Sequence, residues 1–194
     1  KIASTPQRPD LWRGAKILAL RSLRAQAVNP SALRLLAFTT LGETRNSARN
    51  KFARLAIKSS RREAAAHLLM IEDLAKYDDV GGVLRHYDLA MRTSSAIRTQ
   101  LSPLLTNAIE DEQVREALVP TVKARPNWLY DFFDYAITSS NNPKNLATLI
   151  EESGGWPDDP KYDRLTNKLL SQMITKYQFA SFKRHYLTLK NSRP

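Results

Sequence analysis

Histidines, clustered carboxylates and a run of arginines are the residues in this sequence where chemistry would be sought. The histidines are His67, His86 and His185. No two of them stand three or four residues apart, so no single helix face offers a local metal site. His67 lies among Ala64, Ile71 and Leu74, where a packed core histidine is expected. His86 and His185 sit in the similar strings Arg85-His86-Tyr87 and Arg184-His185-Tyr186, which read as two equivalent helices rather than a catalytic pair. Carboxylates gather at Asp78-Asp79, at Glu110-Asp111-Glu112, and at Asp158-Asp159 with Asp163. General acid–base work needs two carboxylates converging in one cleft; these fall at turns, where helix starts and caps use them. Asp159-Pro160-Lys161-Tyr162-Asp163 lacks the glycine turn and the closing glutamate of a calcium loop. Cysteine is absent, which removes thiol nucleophiles, thiolate metal sites and disulfides. There are six glycines and no Walker, dinucleotide or nucleophile-elbow motif. The chain is therefore read as non-enzymatic, with no cofactor and no metal.

The elements that would carry these residues are helical. Trp128, Leu129, Phe132, Phe133, Ala136 and Ile137 recur at the spacing of one helix face, as do Leu165, Leu169, Leu170, Met173, Ile174 and Tyr177. Ala48, Phe52, Leu55 and Ala56 form a further face, and Val83, Leu84, Tyr87, Ala90 and Met91 another. Breaks follow at short intervals. Asn29-Pro30 closes a first helix that starts near Asp10, and a turn at 42–46 splits the next pair. Ser59-Ser60 ends that pair, Asp79 caps a helix start, and Glu110-Asp111-Glu112 marks another. Helices of roughly 10–15 residues with links this short imply antiparallel neighbours. The expected class is all-α. The aromatic stretch from Trp128 to Tyr135 reads as the densest core helix, with Asp131 and Asp134 outside and Tyr130 and Tyr135 reaching the surface; a docking helix is the other reading.

A period runs through the first two-thirds. Ala56, Ala90 and Ala124 are each 34 residues apart. Leu36, Met70 and Leu104 share that offset, as do Ala37, Ile71 and Leu105, and Leu41, Ala75 and Ile109. Asp78-Asp79 followed by Val83, Tyr87 and Ala90 resembles the second-helix signature of tetratricopeptide repeats, and Leu36-Ala37 their first-helix pair. Residues 30–95 resemble two such repeats and 98–129 a third, degenerate one. The chain departs from the pattern where Leu33 and His67 replace the first-helix tryptophan, and at Ile71. Pro120 is expected to break or kink its helix. The terminal prolines of the repeat are missing, and the phase fades past about residue 130. Residues 1–194 are thus expected to form a single α-solenoid: an N-terminal helix over 10–29, repeats over 30–129, and helical hairpins over 130–194, the last at 163–177 and 179–190. The pattern is also similar to repeat-containing proteins of bacterial cell envelopes.

The resemblance implies a non-catalytic protein-interaction or scaffold module whose first helices line a concave groove. In this register the groove positions are Arg34 and Phe38 in one unit, and Leu68, Glu72 and Lys76 in the next. Affinity for a partner peptide or helix would come from apolar burial with a few charge-assisted bonds.

Charge suggests an alternative. The net charge is +11, but it is +12 over residues 1–62, −8 over 63–160 and +7 over 161–194. Arg45, Arg49, Lys51, Arg54, Lys58, Arg61 and Arg62 form a stripe that could hold a nucleic acid or other polyanion. Aromatic interleaving for base stacking is missing there, since Phe52 belongs to the core face. An acidic protein or an anionic membrane surface is equally compatible. Ile17-Leu18-Ala19-Leu20 is too short for a signal peptide, and no apolar run approaches the roughly 20 residues of a membrane span. The absence of cysteine fits cytoplasm and periplasm alike. A membrane anchor upstream of Lys1 is compatible with this sequence.

Overall fold

The computed structural model describes residues 9–40, 47–178, 183 and 186. Among the described residues there are ten α-helices and no strand, so the expected all-α class holds. The helices are α1 (Pro9–Ala25), α2 (Pro30–Thr39), α3 (Ala48–Ser59), α4 (Ala64–Ala75), α5 (Val80–Met91), α6 (Ser95–Ala108), α7 (Glu112–Lys123), α8 (Leu129–Ser139), α9 (Pro143–Glu152) and α10 (Lys161–Thr175). None is long and apolar enough to cross a membrane. Leu41, the turn at 42–46 and the hairpin residues Phe179, Phe182, His185 and Leu189 lie outside the described residues.

Short polar side chains start five of the ten helices by accepting from orphan N–H groups in the first turn. Ser47 accepts from Asn50 N, Asp79 from Gly82 N, Ser94 from Ile97 N and Asp111 from Val114 N. Asp79 and Asp111 thus do what their positions in the sequence suggest. Asn29 differs from expectation: its side chain accepts from Ala32 N and Pro30 follows at the first helical position, so the pair opens α2 rather than closing α1. Pro120 also differs, since α7 continues through it to Lys123. Pro120 and Glu116, whose carbonyl loses its intrahelical donor, are both exposed, so water can supply the missing bond. Three helices end through left-handed residues that are not glycine: Asp78 after α4, Arg125 after α7 and Tyr177 after α10.

The chain divides into two compact units, Lys1–Thr93 and Ser94–Pro194. In the first, each helix packs on the next, and α2 also touches α4. Alanines at the contacts are wholly buried: Ala37, Ala53, Ala56, Ala66 and Ala90. Phe52 packs against three clusters built on Ala37, Ala53, Leu69, Met70 and Leu74, on Ala19, Ala32 and Leu36, and on Leu33, Ala56 and Ala66. The α3 face is therefore set by Asn50, Ala53 and Ala56 with Phe52. Ala48 and Leu55, expected on that face, are exposed.

In the second unit α6 packs on α8, α8 on α10 and α7 on α9, and α9 also touches α8 and α10. Its core is aromatic. Trp128, Phe132 and Phe133 are buried, as the sequence suggests, and edge-on or tilted contacts link Trp128 to Phe132, Phe132 to Phe133, and Phe133 to Trp156 at 5.8, 5.2 and 5.0 Å. Asp131 is exposed and Asp134 half-buried. On α10, Leu165, Leu169 and Met173 are buried, but Ile174 is exposed, as is Tyr177 just beyond the helix.

Burial departs from the strict 34-residue offset. Leu104 is 47% exposed, whereas Leu105 is buried, so the step from Met70 is one residue longer than the strict period. Ala75 is exposed where Ile109 is buried, and Ala124 is exposed as the residue capping the end of α7.

Two substitutions probe these cores. Phe133→Ala should destabilise the second unit by about 3–5 kcal/mol through cavity formation. Ala56→Leu should cost the first unit about 1–3 kcal/mol through overpacking. Urea denaturation followed by far-UV circular dichroism measures both.

Candidate functional site

The first unit contains a cleft of about 660 Å³ lined by Arg61, Arg62, Asp88, Leu89, Arg92 and Thr93. Its first wall is the link between α3 and α4. Ser60 stops α3, with its N–H bonded to Ala56 O. Glu63 N donates to Ser60 O at 3.2 Å, closing a four-residue turn, and Arg62 N donates to Ser60 Oγ at 3.3 Å. Arg61 and Arg62 occupy the two central positions of that turn, and both are exposed. Glu63 is directed elsewhere: its Oε2 lies 3.1 Å from Arg34 Nε, a charge contact made off the hydrogen-bond line.

The second wall is the end of α5. Asp88 and Arg92 are four residues apart and so share a helix face. Arg92 Nε donates to Asp88 Oδ1 at 2.8 Å and to Oδ2 at 3.0 Å. Thr93 Oγ1 donates to Ala90 O at 2.7 Å, which ties down the last turn.

Two histidines fasten one wall to the other. His67, on α4, is fully buried. Its Nε2 is 3.3 Å from Arg61 O, and its Nδ1 is 2.9 Å from His86 Nδ1 on α5. A carbonyl oxygen only accepts, so His67 Nε2 carries the hydrogen and its Nδ1 is bare. Neutral His67 therefore accepts from His86 Nδ1–H, and both tautomers are fixed. Burial lowers the pKa of His67 from 6.5, against the raising effect of its bond to Arg61 O. Burial lowers that of His86 to about 4, with further lowering from His67, Arg85 and Arg54 and a raising effect from Asp79.

The groove residues expected from the sequence are placed on α2 and α4, which touch. Phe38 is 39% exposed, Leu68 is half-buried and Lys76 is exposed. Arg34 is engaged with Glu63, and Glu72 accepts from Arg49 Nη2 at 2.7 Å. The arginine stripe is divided in the same way. Arg49 is held by Glu72 and Arg54 is exposed, while Arg61 and Arg62 form the turn of the cleft. Arg45 lies outside the described residues. Arg92, Asp88 and the His67–His86 contact were not singled out by the sequence; the Asp88–Arg92 spacing was a usable signal, the histidine contact was not. Among the described residues no group of three or more histidines and carboxylates could hold a metal ion.

Comparison of the chain with protein-family models, with curated proteins and with solved structures found no match.

The histidine pair makes stability pH-dependent. In the unfolded chain each imidazole takes up a proton near 6.5, whereas folded His86 resists until about 4. The unfolded state therefore binds more protons in this window, so the contribution is complete above 6.5 and is lost as pH falls toward 4. His86→Gln keeps a donor for His67 Nδ1 and removes the titrating ring. Urea midpoints measured from pH 7.5 to 4.5 should fall less steeply in this variant than in the wild type.

Proposed function

We propose that the chain is a tetratricopeptide-like helical repeat serving as a non-catalytic binding module for a protein partner. The observation that carries this reading is a set of polar links in the second unit, each joining residues about one repeat apart. Arg98 Nη1 donates to Asp131 Oδ2 across 33 positions at 2.6 Å, and Lys168 Nζ to Asp134 Oδ1 across 34 positions at 2.6 Å. Asn145 Nδ2 donates to Glu110 Oε2 across 35 positions, and Lys144 N to Gln178 Oε1 across 34. The first two links lie along the α6–α8–α10 row, and the others join the turns and termini beside α7, α9 and α10. Two rows with one link per step are what stacked helical hairpins produce.

Burial supports the same reading. From α2 to α4 the buried positions advance by 34, as from Leu36 to Met70; from α4 to α6 by 35, as from Met70 to Leu105. From α6 to α8 the advance is 31, as from Leu105 to Ala136, and from α8 to α10 it is 33, as from Ala136 to Leu169. The period thus continues past residue 130 with small insertions and deletions that hide it from a fixed-offset comparison.

Repeat stacks expose long surfaces and suit recognition of extended or helical partners. On α2, α4 and the residue that caps α4 the surface offers Phe38, Leu68 and Lys76 beside the Arg34–Glu63 pair, so an apolar segment with an acidic residue to meet Lys76 is the complementary partner. Affinity capture from the native cell with the wild type and with Arg34→Glu plus Lys76→Glu tests this. The double variant should keep its helicity and lose the specific partner by about tenfold or more, as expected when charge-assisted contacts become repulsive. Retention of every partner by the double variant removes these residues from the binding surface.

A further inference from the structure

We infer that the cleft between the α3–α4 turn and the end of α5 is a binding site for the phosphate group of a small phosphate ester. Among the described residues, three guanidinium groups, those of Arg61, Arg62 and Arg92, line one cavity with a single carboxylate, Asp88. That carboxylate is engaged through both oxygens by Arg92 Nε. Neither Nη of Arg92 makes a hydrogen bond among the described residues, so both remain available as donors. Arg61 and Arg62 form no ion pair among the described residues either, and Glu63, the next residue in the turn, faces Arg34. Among the described lining residues positive charges exceed negative ones by two. Its nearest titratable support, the neutral His67–His86 pair, adds none.

The site is also held in shape. Arg61 is fixed through its own carbonyl by His67, and His67 is fixed to α5 by His86. The turn that carries two of the arginines is thereby tied to the helix that carries the third. Binding an anion then requires ordering exposed guanidinium groups but no rearrangement of the walls. Planar guanidinium donors match tetrahedral oxyanions in pairs of parallel hydrogen bonds. At about 660 Å³ the space suits a small molecule rather than a polymer segment. Among the described residues lining it, Leu89 is the one apolar side chain and none is aromatic. The inference is independent of the groove on α2 and α4, since none of Arg34, Phe38, Leu68, Glu72 and Lys76 lines the cleft.

The test is isothermal titration of the whole chain with inorganic phosphate and with glycerol phosphate at low ionic strength. Both should bind saturably at one site and compete with each other. Arg92→Ala and Arg61→Ala should each weaken binding by about tenfold or more, the usual loss for a hydrogen bond to a charged group. Arg92→Lys should recover part of it, keeping the charge without the planar fork. Lys58→Ala, an exposed cation that does not line the cleft, should change affinity less than twofold. Far-UV circular dichroism verifies folding; Arg61→Ala and Arg62→Ala carry the result if Arg92→Ala loses helicity, because their side chains are exposed. The inference is overturned if neither small anion binds saturably, or if Lys58→Ala costs as much as the cleft variants. It is equally overturned if an oligonucleotide or phosphatidic-acid vesicles bind and glycerol phosphate does not displace them.

Discussion

Everything in the first unit depends on how closely its helices can approach. Four of its five helices have only 10 to 12 residues, at or below the roughly 12–15 under which isolated helices are marginal in water. Their stability has to come from burying one face against a neighbour. Ala37, Ala53, Ala56, Ala66 and Ala90 are entirely buried, and an alanine at a contact lets two helix backbones come close without leaving a void. Phe52 then fills the space where three such contacts meet. A small residue at each contact and one large residue between them form a solution that tolerates little change of volume at either position.

The same requirement explains what could be read from the amino-acid order. Helix class was legible because each helix must bury a continuous face, and that leaves a 3.6-residue periodicity in Trp128–Ile137 and in Val83–Met91. Helix starts at Asp79 and Asp111 were legible because a cap is a local hydrogen bond. Helix ends were harder. Asp78, Arg125 and Tyr177 adopt the left-handed conformation that glycine signals in most sequences, so nothing in their residue types announces it. Pro120 misled for a related reason: proline disrupts a helix when the lost bond is buried, and on the exposed side of α7 water can replace it. The 34-residue spacing misplaced Leu104 because one added residue between α4 and α6 moves the buried position to Leu105.

Of the cleft, only Arg61 and Arg62 were visible beforehand, as part of a basic stripe. The rest depends on contacts between residues distant in sequence. His67 and His86 are separated by 19 positions and lie on different helices, so no local spacing rule brings them together. Arg34 with Glu63, and Arg49 with Glu72, likewise pair across helices. These pairings change the meaning of the charge pattern. A block of +12 read along the chain suggested a continuous cationic surface, but Arg34 and Arg49 face acids supplied by the following segment, and Arg61 and Arg62 remain together at one turn. A tally of charge by sequence segment therefore overstates the field that a partner meets at α2 and α3, and it understates the concentration of charge at the cleft.

The two units secure neighbouring helices by different means, with different consequences. In the second, Asp131 is about half exposed and Asp134 and Lys168 are partly exposed, and pairs that water reaches in this way contribute on the order of 0–1 kcal/mol each. The aromatic contacts from Trp128 to Trp156 bury far more surface and supply most of the cohesion. Yet aromatic burial alone is tolerant of small sliding between helices, whereas Arg98–Asp131 and Lys168–Asp134 fit at one offset only. The polar links are best understood as setting the offset and the aromatic core as setting the stability. Weak, exposed links can be exchanged by substitution with little loss of stability, so the offset they set, 33 residues for Arg98–Asp131 and 34 for Lys168–Asp134, need not be the same at every pair.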